Sequence, residues 1–402
     1  MAVPRIFVTG MGVVSALGQG VEATLDALLN ERCGVGRLRY LQSVHDDLPV
    51  GEVKMSNEEM CSAIGIPFDD RYTRTALMGA LALKEALGDA GIGEGSGRHI
   101  ALVSGTTVGG MDKSEAYYKE FLESDRNTCF IKTQDCGITT EFAIECFPFF
   151  DFATTISTAC SSAANAIIFA ANLIRTGRYD IVVAGGSECI SKFHLNGFNS
   201  LFILDKEKCR PFDATRAGLN LGEGAGYIVL ESEDSVKRRN KRPLCELKGY
   251  GNACDAFHQT ASSPDGEGAF RAMRKALADS GLAPSDIDYV NAHGTGTPNN
   301  DPSEGKALER VFGEGSVPPV SSTKGFTGHT TSASGGIEAV ISILALTRDF
   351  YPVNLNLSSR MEELSFIPVT DSKAVKPIVN VLSNAFGFGG NDSSVIFSKL
   401  ED

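Results

Sequence analysis

The sequence is poor in positive charge. Lys and Arg together number 37 against 50 Asp and Glu, which leaves a formal net charge of −13 at pH 7 in a chain of 402 residues. The field of the whole protein would repel a polyanion, and no basic stripe that could bind one stands out. The composition therefore argues against a nucleic-acid partner.

Long apolar runs, a leader segment and paired cysteines are also missing. The longest mainly apolar stretch, residues 163–174, has about 12 residues, short of the ~20 that span a bilayer. The first residues lack the basic and apolar regions of a secretory signal. The 10 cysteines contain no CxxC pair, which is typical of reduced thiols. We therefore expect a cytoplasmic protein without a membrane segment.

Strand-like and helix-like segments alternate along the chain. This alternation is typical of α/β layers around a buried sheet. In the first part it predicts strands at 5–9, 100–104, 181–184 and 227–231, and helices at 21–29, 73–89 and 161–175. The basic stretch 237–242 interrupts the pattern, and a second series begins at 244–251.

One helix-to-strand unit occurs twice. ALGDAGI (86–92) followed by IALVSGT (100–106) resembles ALADSGL (276–282) followed by the strand-like run 287–295, half a chain later. Self-similarity at that distance predicts a duplicated α/β fold, with halves 1–240 and 241–402. Chance similarity of two helix-glycine-strand units is the alternative.

A reactive cysteine is predicted at the start of a buried helix. The β-branched stretch 154–158 runs directly into an alanine-rich helix, and Cys160 stands where that helix begins. Free N–H groups and the positive end of the helix dipole favour a thiolate at such a position. A buried structural cysteine is the alternative that this position leaves open.

Two histidine motifs favour a role beyond packing. One strand-like segment delivers His293 into a Gly- and Thr-rich turn, and another delivers Lys324 and then His329. Together with Cys160, these side chains at strand ends beside glycines are hard to explain as core residues. No i, i+4 pair of histidines and no cluster of thiols or carboxylates accompanies them, so we expect no metal.

A glycine-rich loop lies at residues 387–390, between two strand-like segments. Its glycines allow the backbone to approach another group closely and to aim N–H donors, as an oxyanion hole requires. A simple glycine-rich hairpin is the alternative. The run GMGVVS (10–15) begins like a dinucleotide-binding loop but lacks the third glycine of that motif.

Taken together, these motifs resemble the elongating β-ketoacyl-acyl-carrier-protein synthases. The match runs in order along nearly the whole chain: RIFVTGMG (5–12), SGTTVGG (104–110), TACSS (158–162), AGGSE (184–188), RPFD (210–213), GEGAG (222–226), NAHGT (291–295), the segment from Lys324 to His329, and FGFGG (386–390). The resemblance implies a thiolase-like fold, a duplicated five-layered αβαβα arrangement. That arrangement agrees with the internal repeat.

The resemblance also implies roles for individual residues. Cys160 corresponds to the acyl-accepting nucleophile, and His293 and His329 to the histidine pair of the decarboxylating class. The backbone N–H groups of Cys160 and Phe388 would form the oxyanion hole. Lys324 and Glu304 would form a supporting ion pair. The substrate-binding residues would be Val108, Thr295, Thr297 and Phe388, with Phe388 acting as a gate that packs against Val108. Arg71 and Arg74 would dock the carrier protein.

The implied activity is an acyltransferase reaction of fatty-acid biosynthesis. An acyl group on the cysteine condenses with malonyl-acyl-carrier protein, which loses CO2, and the chain grows by two carbons without a cofactor. The expected partners are acyl- and malonyl-loaded carrier proteins and a second subunit, in a homodimer or a heterodimer with a related ketosynthase-like chain. The phenylalanine-rich stretch 142–152 is expected to lie at that subunit interface.

Two departures from the family leave the pathway open. After His329 the family usually has a Gly-Ala-Ala-Gly-like run, where this chain has TTSASGG (330–336), and Asn391-Asp392 replaces the usual Thr-Asn. A ketosynthase of a polyketide or aryl polyene pathway is therefore an alternative. An inactive chain-length factor, a thiolase and an acyl-CoA-initiating synthase fit less well, because they lack the Cys-His-His set.

Overall fold

The computed structural model describes residues 4–93, 99–124, 126–374 and 376–400. Ten strands form the body of the sheet in these ranges: β1 Ile6–Ser15, β2 Ile100–Gly105, β3 Phe152–Ile156, β4 Ile181–Glu188, β5 Gly224–Ser232, β6 Cys245–Cys254, β7 Tyr289–Asn291, β8 Val320–Ser321, β9 Asn380–Gly387 and β10 Asn391–Ser398. The two-residue strand Gly18–Gln19 pairs with the end of β1.

Thirteen α-helices lie in the same ranges. They are α1 Val21–Leu29, α2 Asn57–Ile64, α3 Arg74–Ala90, α4 Met111–Ser124, α5 Thr128–Ile131, α6 Gly137–Cys146, α7 Ser162–Arg175, α8 Lys192–Ser200, α9 Glu233–Arg239, α10 Glu267–Ser280, α11 Asn300–Phe312, α12 Lys324–Thr327 and α13 Ser334–Arg348. None of them is long and apolar enough to cross a membrane.

The strands form two halves with the same topology. The first half has the order β3-β2-β4-β5-β1 and the second has β8-β7-β9-β10-β6, so each strand has its counterpart five strands later. In both halves the first three strands are parallel and the last two are antiparallel to their neighbours. A short antiparallel contact between β1 and β6 joins the halves. The predicted duplication is confirmed.

The helices complete five layers. Helices α7 and α13 contact each other between the two halves of the sheet, and α13 contacts β5 of the first half and β9 of the second. Helix α3 covers the outer face of the first half, and α10 covers that of the second. Separate apolar cores fill the space under α3, between the halves, and under α10. This is the αβαβα arrangement that the family resemblance implies.

Two local expectations need correction. The basic stretch 237–242, expected to be a break, begins as the last turn of α9, where Arg239 forms an ion pair with the buried Glu231. The aromatic stretch 142–152 is only in part an exposed surface: Phe142 and Phe150 are buried in this chain's own core, with the ring of Phe142 4.8 Å from that of Tyr72, whereas Phe147, Phe149 and Phe152 are half-buried. Both segments are used by the fold of the single chain.

Candidate active site

Cys160 lies in a tight turn between β3 and α7. The hydroxyl group of Ser162 holds this turn, since it accepts a hydrogen bond from the Thr158 N–H at 2.9 Å and donates one to the Ala159 carbonyl at 2.6 Å. Ala159 has a φ of +52°, in the left-handed region that residues with a Cβ rarely adopt. This strained residue directly precedes Cys160, as is common beside functional groups.

The two predicted histidines meet this cysteine. The Nε2 atom of His329 lies 3.1 Å from the Cys160 sulfur. The ring of His293 lies edge-on to that of His329, with the ring centroids 5.2 Å apart and the planes at 86°. All three residues are buried. The structure therefore brings Cys160 together with two histidines that are more than 100 positions away from it in the sequence.

His293 is held through its backbone and its ring. Its N–H and that of Gly294 donate to the two carboxylate oxygens of Glu304, at 2.9 and 2.7 Å. The Lys324 ammonium group lies 3.3 Å from Nδ1 of the ring. Because an ammonium group can only donate, Nδ1 accepts and the ring proton is on Nε2.

The expected ion pair between Lys324 and Glu304 is wrong. The partner of Lys324 is Glu338, whose Oε1 atom lies 2.5 Å from the ammonium nitrogen, with both side chains buried. The Glu304 carboxylate is occupied by two backbone N–H groups and by the Asn384 amide. Sequence reasoning missed Glu338, although it is the only charged residue in the apolar run 335–346 of α13. A single charged residue in an otherwise apolar run indicates a buried group that needs a partner of opposite charge, and this signal could have identified Glu338.

His329 is held mainly by the backbone of the neighbouring segment. Its N–H donates to the Asn220 carbonyl at 2.7 Å, and its own carbonyl accepts from the Gly222 N–H at 2.9 Å. On the far side of the ring from Cys160, Nδ1 lies 3.0 Å from the Ser334 hydroxyl oxygen. The ring is therefore fixed between the nucleophile and the first residue of α13.

Burial dominates the protonation of the site. It lowers the pKa of His293 and His329 well below 6.5, and the Lys324 charge adds to this, so both rings are neutral at pH 7. Burial also raises the pKa of the Cys160 thiol to about 11, outweighing the Lys324 charge and the N–H groups of Phe388 and Cys160. The local N–H groups at the helix N-terminus favour a thiolate, as expected, but burial outweighs them.

Burial raises the pKa of Glu338 to about 7 against the opposing effect of Lys324. Among the described residues, no cluster of three or more His, Cys, Asp or Glu side chains could hold a metal ion.

The loop after β9 brings N–H donors to the sulfur. The N–H groups of Phe388 and Cys160 lie beside the Cys160 sulfur, where both act to lower the pKa of its thiol. Gly387 permits this approach, because a Cβ at its position would lie 2.8 Å from the Thr158 carbonyl oxygen and 3.2 Å from the Cys160 nitrogen. The role of these N–H groups as the two donors of an oxyanion hole stays a prediction.

The three side chains line a cavity of about 250 Å³ that opens to solvent. Thr295 and Thr297 line this cavity, as expected, and their hydroxyl oxygens are 2.9 Å apart. The ring of Phe388 stacks on Phe198, with centroids 5.8 Å apart and planes at 18°. Val108 is not among the residues that line this cavity, and its role as packing partner of Phe388 stays a prediction.

The two predicted docking arginines have different environments. Arg74 is buried, and its guanidinium group donates to Glu223 at 2.7 Å and to the carbonyl groups of Val53 and Met55. A buried, fully bonded cation cannot meet a partner protein, so Arg74 as a docking residue is wrong. Arg71 has an exposed side chain and pairs with Asp69 on the surface.

Comparisons with known proteins agree along the whole chain. Residues 4–235 match the family described as "Beta-ketoacyl synthase, N-terminal domain", and residues 244–358 match "Beta-ketoacyl synthase, C-terminal domain". Two relatives are named 3-oxoacyl-[acyl-carrier-protein] synthase 2, one from Staphylococcus aureus (strain COL) and one from Coxiella burnetii (strain RSA 493 / Nine Mile phase I). Each is 33% identical over 415 residues, which covers 99% of both chains.

Solved structures give the same picture. The structure titled "The ishigamide ketosynthase/chain length factor" matches with a TM-score of 0.92 and 28% identity, over 100% of both chains. The ketosynthase ApeO in complex with its chain length factor ApeC, from Xenorhabdus doucetiae, matches with a TM-score of 0.85 and 28% identity, over 99% of this chain and 98% of that one. A β-ketoacyl synthase from Burkholderia phymatum STM815 matches with a TM-score of 0.86 and 29% identity, over 99% of this chain and 100% of that one.

Proposed function

The chain belongs to the β-ketoacyl synthase family and is a condensing acyltransferase, and from that premise we propose how its residues act. In this proposal Cys160 carries the growing acyl chain, while His293 and His329 promote decarboxylation of a malonyl thioester. The observation that carries it is the 3.1 Å contact of the Cys160 sulfur with His329, beside a second neutral imidazole, in the lining of an open cavity.

The first half-reaction transfers an acyl group between two sulfur atoms. The Cys160 sulfur attacks the thioester carbonyl of an acyl-carrier protein, and the N–H groups of Cys160 and Phe388 stabilise the oxyanion. The bond to the carrier sulfur then breaks, and the proton that leaves the Cys160 thiol ends on the departing thiol. The net charge of the buried site is therefore the same before and after the transfer.

The second half-reaction forms the carbon–carbon bond. When malonyl-carrier protein loses CO2, the electron pair of the broken bond moves onto the thioester oxygen as an enolate. Neutral His293 and His329 donate hydrogen bonds to that oxygen, and each donor contributes roughly 3–4 kcal/mol. The enolate carbon then attacks the acyl-Cys160 carbonyl, and the carbon–sulfur bond breaks to give a β-ketoacyl thioester longer by two carbons and the Cys160 thiolate. One proton taken up from solvent returns this thiolate to the thiol.

A mass measurement tests the nucleophile. Cys160→Ala should form no acyl-enzyme with acyl-carrier protein and should not condense, whereas Cys129→Ala, which removes an exposed thiol, should behave like the wild type. Intact-mass spectrometry gives the acyl-enzyme, and product analysis gives the condensation. A Cys160→Ala enzyme that condenses at a near wild-type rate would contradict the proposal.

The carrier protein is proposed to dock near Arg71. Carrier proteins of this family are acidic, so exposed cations must overcome the repulsion of an enzyme with a net charge of −13. The side chain of Arg71 is 68% exposed and precedes α3, which makes it available to such a partner.

A second subunit is proposed to cover the open edge at β3. This strand ends the order of the first half of the sheet, and all of its residues are partly exposed. An unpaired edge is a site for pairing with another chain. Light scattering should therefore show a homodimer of this chain alone, or a heterodimer when it is mixed with a related ketosynthase-like chain. A monomer in both samples at micromolar concentration would refute this assignment.

A polyketide pathway is the second candidate function. It is favoured by the TM-score of 0.92 over both full chains with the ishigamide ketosynthase/chain length factor. The fatty-acid role is favoured by full-length identity of 33% with 3-oxoacyl-[acyl-carrier-protein] synthase 2. Purified enzyme with malonyl-carrier protein as the only extender separates them: a single condensation per acyl chain, before other enzymes act, favours fatty-acid elongation, and repeated condensation favours the polyketide role.

A further inference from the structure

The run of small and hydroxyl residues after His329 places a serine against the catalytic ring. Ser334 begins α13, is buried, and has its hydroxyl oxygen 3.0 Å from Nδ1 of His329. The hydroxyl of Thr330 lies 3.2 Å from the Ser334 hydroxyl. The three groups form one chain of hydrogen bonds that ends at the nucleophile, because Nε2 of His329 faces the Cys160 sulfur.

The direction of this chain follows from counting protons. A hydroxyl group has one proton to donate and can also accept, and a neutral imidazole has one N–H. If the chain ran from Nδ1–H to Ser334 and then to Thr330, the Thr330 proton would need a further acceptor. The Thr330 hydroxyl contacts no other acceptor among the described residues. In the opposite direction, Thr330 donates to Ser334, Ser334 donates to Nδ1, and every proton is used.

We propose that Ser334, oriented by Thr330, is a positioning residue that holds His329 in the tautomer with its proton on Nε2. This inference rests on the proposed function, in which His329 donates that N–H to the thioester oxygen. With Nδ1 accepting from Ser334, the N–H points at the reacting atoms without any rearrangement. The other tautomer would present a lone pair to the developing enolate and repel it.

Both catalytic rings are then set by donors on their Nδ1 atoms. Lys324 sets His293 with a charged donor, and Ser334 sets His329 with a neutral one. A neutral donor adds no second buried cation to a site that already holds Lys324, and a buried charge is costly. The two devices differ in chemistry but leave the same Nε2–H group on each imidazole.

Nitrogen-15 NMR of the full-length enzyme labelled at histidine tests the tautomer directly. The ring signals of His329 are assigned by their loss in His329→Ala. We expect the wild type to show a protonated Nε2 and an unprotonated Nδ1. Ser334→Ala should give a mixture of tautomers, and Thr330→Val should shift the signals in the same direction by less.

The matched control is Ser332→Ala, which removes an equally buried hydroxyl of the same turn that donates to Glu188 instead of the ring. It should leave the His329 signals unchanged even if it lowers stability. CO2 release from malonyl-carrier protein should fall about tenfold in Ser334→Ala, the ratio that one buried hydrogen bond supports, while acyl transfer falls less.

The proposal is overturned by a wild-type ring with its proton on Nδ1, or by Ser334→Ala signals and decarboxylation rates that match the wild type. Its failure is distinct from failure of the proposed function. A wild-type enzyme that does not decarboxylate malonyl-carrier protein would refute that function, whereas the NMR measurement would still report the tautomer.

Discussion

The buried pair of Lys324 and Glu338 should be needed for one half-reaction but not for the stability of the fold. The ammonium group lies 2.5 Å from the Glu338 carboxylate and 3.3 Å from Nδ1 of His293. Lys324→Met removes the cation and leaves a buried carboxyl group without its partner. Breaking a buried pair from one side costs about 3–5 kcal/mol of unfolding free energy.

The double variant Lys324→Met/Glu338→Leu separates stability from catalysis. Replacing both members of a buried pair with apolar residues is often neutral for stability. The second carboxylate oxygen of Glu338 has no hydrogen-bond partner, so little else is lost with it. We therefore expect the double variant to recover most of the unfolding free energy that the single variant loses.

Decarboxylation should not recover with stability. Without the Lys324 donor, the tautomer of His293 is no longer set, and loss of one donor to a developing oxyanion slows a reaction by about 10²–10³-fold. Acyl transfer should slow less, because the Cys160 sulfur contacts His329 and not His293, although the Lys324 charge also lowers the pKa of that thiol.

Urea unfolding, CO2 release from malonyl-carrier protein and acyl-enzyme mass together make the test. The single and double variants should differ in unfolding free energy and share the slow CO2 release. If the double variant released CO2 at a near wild-type rate, the pair would have only a structural role, and the argument that Lys324 sets the His293 tautomer would be refuted.

Three further predictions concern docking, gating and pH. Arg71→Glu should raise the KM for carrier-bound substrate, and more so at low salt. An unchanged KM at low ionic strength would point to another docking face. Arg74→Met should instead lower the unfolding free energy by about 3–5 kcal/mol, because it breaks a buried pair. Phe388→Ala removes the ring that stacks on Phe198 but keeps the backbone N–H proposed for the oxyanion hole. The acyl-enzyme should therefore still form, but CO2 should be released from malonyl-carrier protein before acylation. If CO2 release still required prior acylation, the ring would not be a gate. Burial and the nearby carboxylates raise the pKa of Asp392 to about 8. The folded chain therefore holds this proton more tightly than the unfolded chain does. As a result, the unfolding free energy of the wild type should fall by up to about 1.4 kcal/mol per pH unit from about pH 4 to pH 8. The Asn side chain of Asp392→Asn cannot ionise, so the unfolding free energy of this variant from urea titrations should rise relative to that of the wild type over the same pH range. Parallel plots of unfolding free energy against pH for the two proteins would contradict the raised pKa of Asp392.

Local sequence patterns were sufficient for several of the helices and strands. The predicted helix at 21–29 is α1, and the predicted helix at 161–175 differs from α7 by one residue, since apolar periodicity and terminal glycines are local signals. Strand β4 runs on to Glu188, four residues beyond its prediction, because the buried Gly-Gly-Ser-Glu segment pairs on both sides with neighbouring strands. Such pairing depends on other parts of the chain.

The partners of the site residues depended on contacts between distant segments. Either of two buried carboxylates could have paired with Lys324, and the choice of Glu338 over Glu304 follows from how α13 lies between the halves of the sheet. The stacking of Phe198 on Phe388 likewise joins segments that are far apart in the sequence.

The sequence by itself determined which residues are the candidates for the chemistry, because Cys160, His293 and His329 stand in short motifs at the ends of strands and helices. Only the tertiary structure decided their protonation. A helix N-terminus favours a thiolate, yet complete burial costs more than that local field returns and leaves a thiol. The tautomers of the two imidazoles likewise depend on Lys324 and Ser334, which the packing of α12 and α13 brings to within 3.3 and 3.0 Å of the rings. Burial and hydrogen-bond distances depend on contacts between distant segments of the fold, so they cannot be read from a local run of residues.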